Sequence, residues 1–423
     1  MIYLLFLLPA LVSVALGAEW RQGQQLNTML GVCVGGTPYE VFGAVVSSPS
    51  GSGIYYNANL GNGDAAFVAG GALNMDIEVT KDGNVACVVG PGKPGGIFCG
   101  PAGAGFTPNL VTDGVDVIAH SIQPFGDSGF AVTGHFYLDS CDGTLEVKDL
   151  EEPPAGFLMV SPKNKTKNHH IRRVKACSDK VFLNGVAVTR DYGLTWNGYS
   201  IGLPFRQGYN ARYGSFPSEQ VWYTTFGSWP NNADEKLTNG IRARVSGRIS
   251  VYYDAGDTNP QITFLSARNV IGSYPGGIMK TINGGDTWFQ VFNTKGQYYL
   301  NQISCFDVNN CYAVGENGKE AYVIATTNGG VNWDLKMTLT APRSLHAVQM
   351  VSLTEIFVAG GTPSVGPYPD KELQGEYYHS TDGGNTWDLT TYNGYGFDLS
   401  FKNGIGYATA LFKRHTDLWV WSD

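Results

Sequence analysis

The chain has 423 residues, 43% of them hydrophobic and 15% charged, a composition that excludes an intrinsically disordered protein. Gly at 56 and Pro at 20, beside 13% aromatics, fit many short strands joined by tight turns and argue against an all-α fold. With 28 basic against 36 acidic residues the net charge is −8, so no global field draws the protein to nucleic acid or anionic lipid.

The chain opens on an uncharged apolar run, Ile2 to Leu16, that closes on small residues, with Ala15 and Gly17 placed for cleavage before Ala18. This reads as a secretory signal peptide over 1–17, and the run is shorter than the roughly 20 residues a bilayer span needs. Its start departs from the usual pattern in having no Lys or Arg. No second apolar stretch of that length follows. The expectation is a secreted protein over 18–423 with no integral membrane segment in the mature chain.

An oxidising compartment makes disulfides the default for the seven cysteines. Cys87 and Cys99 bracket a hairpin-like stretch, and Cys305 and Cys311 flank the turn residues Asp307, Asn309 and Asn310, so a hairpin would set each pair face to face. Cys141 and Cys177 form a looser third pair and Cys33 is left over. None of the cysteines has CxxC spacing or a neighbouring His, so neither a metal site nor a cofactor is expected.

Lys163 to Arg173, KNKTKNHHIRR, is a basic loop able to meet an anionic partner, and Asn164 begins an N-x-T glycosylation sequon. Tyr199 to Trp229 is dense in aromatics. Arg206, Tyr209, Arg212, Tyr213 and Trp229 are its candidate ligand-binding residues, because rings and guanidinium groups on loops suit a glycan or peptide. Packing between sheets would account for the same rings.

Self-comparison finds four copies of one pattern: TRDYGLTW (Thr189, Asp191, Gly193, Trp196), TINGGDTW (Thr281, Asn283, Gly285, Trp288), TTNGGVNW (Thr326, Asn328, Gly330, Trp333) and STDGGNTW (Ser380, Asp382, Gly384, Trp387). The Asp or Asn can bond the backbone of its own turn, the Gly can take a positive φ, and the Trp can wedge between sheets. The role of these boxes is read as architectural. Their Trp residues are 92, 45 and 54 positions apart, and 92 is twice 46, so one degenerate copy is expected between the first two. A period near 45 to 50 residues is that of a propeller blade.

A fainter repeat of strand-like runs ends at Gly90, Gly134, Gly185, Gly227, Gly272, Gly315, Gly360 and Ala410. It predicts an all-β, single-domain β-propeller of seven or eight four-stranded blades. The last copy supplies three strands and stops, so an N-terminal strand should complete it and remove an open edge. The segment with VFGAVV and GIYYNA is the expected donor.

The four boxes resemble those of the Asp-box, or BNR-repeat, propellers. The run Leu300 to Trp333 is most similar to the repeats of the photosystem II stability/assembly factor family. Sialidase-like and sortilin-like propellers are more distant. The resemblance implies a propeller and leaves the function open, since this fold hosts enzymes, receptors and chaperones alike. A sialidase of that superfamily would show an Arg-Ile-Pro signature, which this chain lacks; the nearest string, Leu203, Pro204, Phe205, Arg206, has another order. The reading is a secreted, monomeric, non-enzymatic module that recognises a protein or glycan ligand or assists assembly. The alternative is a secreted Asp-box glycoside hydrolase, and a pair of carboxylates converging on the centre of the ring would separate the two.

Overall fold

The computed structural model describes residues 19–27, 29–35, 40–45, 53–57, 66–70, 76–90, 96–102, 109–110, 116–140, 147–149, 169–171, 179–201, 211–227, 241–245, 249–253, 261–264, 276–317, 320–340, 343–362, 374–402, 404–411 and 415–422. Every regular element among them is a strand. No helix among the described residues is long and apolar enough to cross a membrane.

Strand β1 (Glu19–Asn27) does not pair with the strand that follows it. Six four-stranded sheets come next in chain order, each a meander with its first strand at one edge. They are β2 (Met29–Gly35), β3 (Glu40–Val45), β4 (Gly53–Asn57) and β5 (Ala66–Gly70); then β6 (Asp76–Val79), β7 (Val85–Gly90), β8 (Gly96–Pro101) and β9 (Asn109–Leu110). The third sheet has β10 (Asp116–Phe125) and β11 (Gly129–Ser140). It is interrupted by a separate hairpin, β12 (Val147–Asp149) with β13 (His169–Ile171), and resumes with β14 (Asp179–Thr189) and β15 (Asn197–Ser200). The fourth has β16 (Ala211–Ser215) and β17 (Trp222–Gly227). After them a separate three-stranded sheet of β18 (Ile241–Val245), β19 (Ile249–Tyr253) and β20 (Gln261–Phe264) intervenes, and β21 (Gly276–Thr281) and β22 (Phe289–Asn293) complete the fourth sheet. The fifth is β23 (Tyr299–Cys305), β24 (Cys311–Glu316), β25 (Glu320–Thr326) and β26 (Asp334–Thr340). The sixth is β27 (Ser344–Met350), β28 (Ile356–Thr362), β29 (Gln374–Ser380) and β30 (Asp388–Asn393).

The chain ends with β31 (Tyr395–Lys402), β32 (Ile405–Leu411) and β33 (His415–Ser422), and β1 adds to β33 as the fourth strand of a composite sheet. The pairing runs from Glu19 opposite Ser422 to Asn27 opposite His415. First strands meet in a closed circle, β2 on β6, β6 on β10, then β16, β23, β27, β31 and back to β2. The architecture is a β-propeller: six blades each cut from a single stretch of chain, and the composite sheet that completes the ring.

This corrects the count of seven or eight repeat copies. Gly134 and Gly185 face each other on β11 and β14 of one sheet, so two assumed copies are one. The 92-residue interval between Trp196 and Trp288 holds the β18–β20 sheet as an insertion inside a blade, not a degenerate repeat. Gly272 lies outside the described residues. The closing strand is also corrected. Within VFGAVV, Val41 to Val45 pair with GIYYN as β3 and β4, with Val41 opposite Asn57, and β1 is the donor instead.

Alternation along the inner strands whose side chains are described sends apolar groups to both faces, and these faces are buried against neighbouring blades. One core joins Val89 and Ile97 of the β6–β9 blade to Ile122, Phe130 and Val132 of its neighbour. The following cores join Val186 to Trp222, Ile278 to Leu300, and Val323 to Val358 in the same way. The last joins Phe357 and Tyr377 to Ala408 of the composite sheet, and there Trp20 from β1 stacks on Tyr377 with ring centroids 4.6 Å apart. Strand β1 thereby holds the ring closed by aromatic packing as well as by the ladder.

Cys87 is bonded to Cys99 across β7 and β8, and Cys305 to Cys311 across β23 and β24, with Cα atoms 4.1 and 4.0 Å apart. Both pairs match the hairpin expectation. Cys141 and Cys177 lie outside the described residues, as do Asn164 and residues 1–17, the expected signal peptide; of Cys33 only the backbone of β2 is described.

Candidate functional site

Each box connects the third strand of a blade to the fourth, and the sequence folds it by local chemistry. In the first box Gly193 donates its N–H to Thr189 Oγ1 at 3.0 Å, Thr195 donates its N–H to Asp191 Oδ1 at 2.8 Å, and the Thr195 hydroxyl donates to Asp191 Oδ2 at 2.6 Å. The fourth box repeats this with Ser380, Asp382, Gly384 and Thr386. In the second box the last bond reverses: Asn283 Nδ2 donates to Thr287 Oγ1 at 2.9 Å. A hydroxyl can donate or accept, so the Thr accepts from an amide where it donates to a carboxylate. This is why Asp and Asn interchange. In the third box Asn332 donates its N–H to Asn328 Oδ1 at 3.0 Å.

Two consecutive residues in each box have positive φ, such as Gly284 and Gly285 at 67° and 92°. Only Tyr192 takes the first of these places without being glycine. A Cβ on Gly285 would lie 2.6 Å from both Trp222 and Tyr199, so this glycine serves a close approach as well as a turn. Each box Trp packs into the core between its own blade and the one before. Trp288 is fully buried there, and Trp196, Trp333 and Trp387 are partly buried.

The candidate ligand residues divide. Tyr213 is buried, as are Tyr199, Trp222, Tyr223 and Phe226 of the same aromatic stretch, so these rings are packing groups. Arg212 lies in the bulge of β16 between Ala211 and Gly214, and Arg206, Tyr209 and Trp229 lie outside the described residues.

The innermost strands form a second cluster that the sequence did not reveal. Bulges interrupt β16, β23, β27 and β31 next to Tyr213, Asn301, His346 and Phe397, and a bulge re-aims the side chains beside it. His346 stacks on Phe397 with centroids 3.9 Å apart, meets Tyr213 edge-on at 6.0 Å, and its Nδ1 donates to the Phe397 carbonyl at 3.0 Å. Neighbouring inner strands are also stitched by side chains: Asp76 Oδ2 accepts the Ile122 N–H, Ser215 Oγ the Cys305 N–H, Ser304 Oγ the Met350 N–H and Gln349 Oε1 the Phe401 N–H. Where other blades use Ser or Gln, β6 uses a carboxyl group. Burial pushes Asp76 up to about 7 against the pull of the Ile122 and Ile77 N–H groups. Burial also pushes Glu78 well above its ordinary value, and the carboxylates of Asp76 and Asp398 add to this while Lys402 opposes it. Glu78 is half-buried. No group of three or more His, Cys, Asp or Glu suited to a metal ion occurs among the described residues.

The box turns and the turns between first and second strands lie at one end of the blades and touch one another. Tyr192 donates its N–H to Ser128 O and its hydroxyl to Asp82 Oδ2, Gly284 N–H reaches Gln220 O, Gly329 N–H reaches Asn309 O and Gly383 N–H reaches Thr354 O. Side chains lock the turns between blades: Arg190 to Glu219, Tyr223 to Val308 O, Lys280 to Gly329 O and Tyr312 to Gly383 O. Burial of the Lys280 ammonium brings it down to about 8. This stitched face exposes apolar side chains on four successive blades: Leu194 (79% exposed), Ile282, Phe306 (48%), Val331 and Leu353 (52%). Three of them occupy the variable places of the boxes. An apolar residue at a turn position that the motif leaves free was the available signal.

No family model matches the chain, and no curated protein matches it. Among solved structures, YCF48 from Cyanidioschyzon merolae is similar at 11% identity, over 95% of this chain and 98% of that one, with a TM-score of 0.48. An oligogalacturonate lyase from Vibrio parahaemolyticus aligns over 96% of this chain and 97% of its own at 8% identity and a TM-score of 0.48. A calcium-binding protein, regucalcin, from Agrobacterium tumefaciens aligns over 95% and 96% at 8% identity and 0.39.

Proposed function

We propose that this chain is a secreted propeller of the Asp-box type that works as a non-enzymatic protein-recognition module, with the turn face as its docking surface. The observation that carries the reading is the set of exposed apolar side chains on that face. A free turn position is no place to stabilise a fold with Leu or Phe, and such residues clustered on a rigid surface suit an interface. The turns beneath are held by hydrogen bonds within and between blades, so binding would order little chain.

The test compares the full chain with a variant carrying Leu194→Ser, Phe306→Ser and Leu353→Ser. Leu335→Ser with Leu389→Ser, on the exposed outer strands β26 and β30, is the control. Affinity capture from the producing organism's secretions should lose its specific partner with the first variant and keep it with the second. A partner retained equally by both would remove the turn face from the reading.

The Asp-box glycoside hydrolase stands as a second reading, favoured by one observation: burial, with the nearby carboxylates of Asp76 and Asp398, raises the Glu78 carboxyl well above its ordinary value. A carboxyl group with a raised pKa near a second carboxylate is the equipment of glycoside hydrolysis. The expected outcome with purified protein is no release of sugar from sialosides or other glycosides. Turnover that disappears in Glu78→Gln would put the enzyme reading first.

A further inference from the structure

The chemistry of the partner can be narrowed, on the premise that the turn face docks a protein. That face is acidic. Asp82, Asp127, Asp191, Asp286, Asp307 and Asp382 stand in its turns. Among the described residues its cations are few: Lys81; Arg190, which is paired with Glu219 at 3.0 Å; Lys280, whose buried ammonium donates to the Gly329 carbonyl; and Lys402, which lies beside Glu78.

The turns also fix these charges. Partial burial opposes ionisation at Asp82, yet bonds from Thr80, Tyr192 and Asn84 bring it down to about 2. The Thr386 hydroxyl and N–H bring Asp382 to about 2. At Asp191 and Asp307 loss of water is the largest single effect and opposes ionisation, yet the combined bonds from Thr195 and Thr189, and from Asn309 and Asn310, hold both below the ordinary carboxylate range. A carboxylate that accepts several hydrogen bonds from its own turn is fixed in position and keeps its charge at any physiological pH. Leu194, Ile282, Phe306, Val331 and Leu353 stand among these fixed anions.

We infer that the turn face recognises a cationic polypeptide segment that presents apolar side chains between its Lys or Arg residues. Apolar contacts would supply affinity, and the ring of carboxylates would supply orientation, on-rate and rejection of acidic surfaces. The same charges disfavour nucleic acid and anionic lipid as occupants.

The chain itself supplies a clean charge variant, because two of its boxes already fold with Asn at the Asp position. Asp191→Asn and Asp382→Asn together should keep the turns, verified by an unchanged melting temperature, while removing two charges. The probes are three fluorescent peptides of one length: Leu/Phe with Lys, Leu/Phe with Glu, and Lys with Ser in place of the apolar residues. The Lys peptide with apolar residues should bind the full chain, and both others should bind at least about tenfold more weakly. Its affinity should fall about tenfold in the Asn variant and fall again as salt rises from 50 to 300 mM, as screening requires. Equal binding of the Glu peptide, equal binding of the Ser peptide, undiminished binding to the Asn variant, or no binding of the Lys peptide at millimolar concentration would each overturn the inference. If capture depends on Leu194, Phe306 and Leu353 but the peptides show no preference for Lys, the docking face stands and only its charge chemistry falls. If capture ignores those three residues, it is the docking reading that fails.

Discussion

Asp76 and Asp82 lie at the start of β6 and in the turn just beyond it, and both carboxylates accept backbone N–H groups. Asp76 is buried at the ring's centre and is pushed up to about 7, whereas Asp82 stands on the exposed turn face and is brought down to about 2. Two backbone bonds do not rescue a carboxylate from loss of water, because desolvation of the charge outweighs what they return. Three bonds suffice where water is still present. The comparison separates two kinds of surface in one molecule: an inner collar where polar groups are consumed in stitching blades, and an outer face where turns hold charges and apolar groups out to solvent.

The largest break of this contrast is at tryptophan. Trp288→Ala, at a fully buried ring, should cost about 3–5 kcal/mol in urea unfolding, and Trp333→Ala, at a ring only partly covered, should cost measurably less. Equal midpoints for the two would show that burial does not grade the boxes. Glycine gives the next contrast. Both Gly285 and Gly404 have positive φ, but an added Cβ meets Trp222 and Tyr199 at 2.6 Å at the first and nothing within 4 Å at the second. Gly404→Ala should therefore show only the strain of about 1–2 kcal/mol, and Gly285→Ala should exceed it. A loss of about 1–3 kcal/mol is expected for Thr281→Val, which leaves the buried Gly285 N–H without the hydroxyl that accepts it at 3.0 Å.

The last contrast is in pH dependence and tests the aspartate pair directly. Asp76 keeps its proton up to about 7 when folded but only to about 3.8 when unfolded, so its contribution is fully present below 3.8 and is lost as pH rises through about 7. Asp82 has the opposite sign: its contribution is present above 3.8 and is lost as pH falls toward about 2. Urea midpoints of Asp76→Asn should lose the decline between pH 5 and 8, and those of Asp82→Asn should differ in slope only below pH 4. A wild-type slope in Asp76→Asn across pH 5 to 8 would mean that the carboxyl is not desolvated as the fold requires.

Much of the outer face was legible in the residues. The box pattern encodes its own turn, since Thr or Ser, Asp or Asn and Gly satisfy one another within eight positions, and the two short-range cysteine pairs follow from hairpin spacing in the same way. Blade counting failed where local pattern met long-range pairing. Gly134 and Gly185 look like two repeats because both end strand-like runs, yet they pair across one sheet because an insertion separates neighbouring strands. VFGAVV and GIYYN looked free to close the ring, but each found its nearest strand first.

The sequence by itself determined the strand content, the four self-knitting turns, the hairpin disulfides and the need for a borrowed last strand, because each rests on interactions a few residues long or on the simple rule that a sheet edge seeks a partner. Only the tertiary structure decided which strand closes the ring, which aromatics are core and which carboxyl groups lose water. Tyr213 and Leu194 show the reason. An aromatic in a polar, glycine-rich stretch reads as a surface ligand group, and a leucine in a tight turn reads as incidental, until the neighbouring blade covers the first and leaves the second in solvent. Burial is a property of what packs alongside, and that partner lies one blade away in space and about 45 residues or more away in sequence.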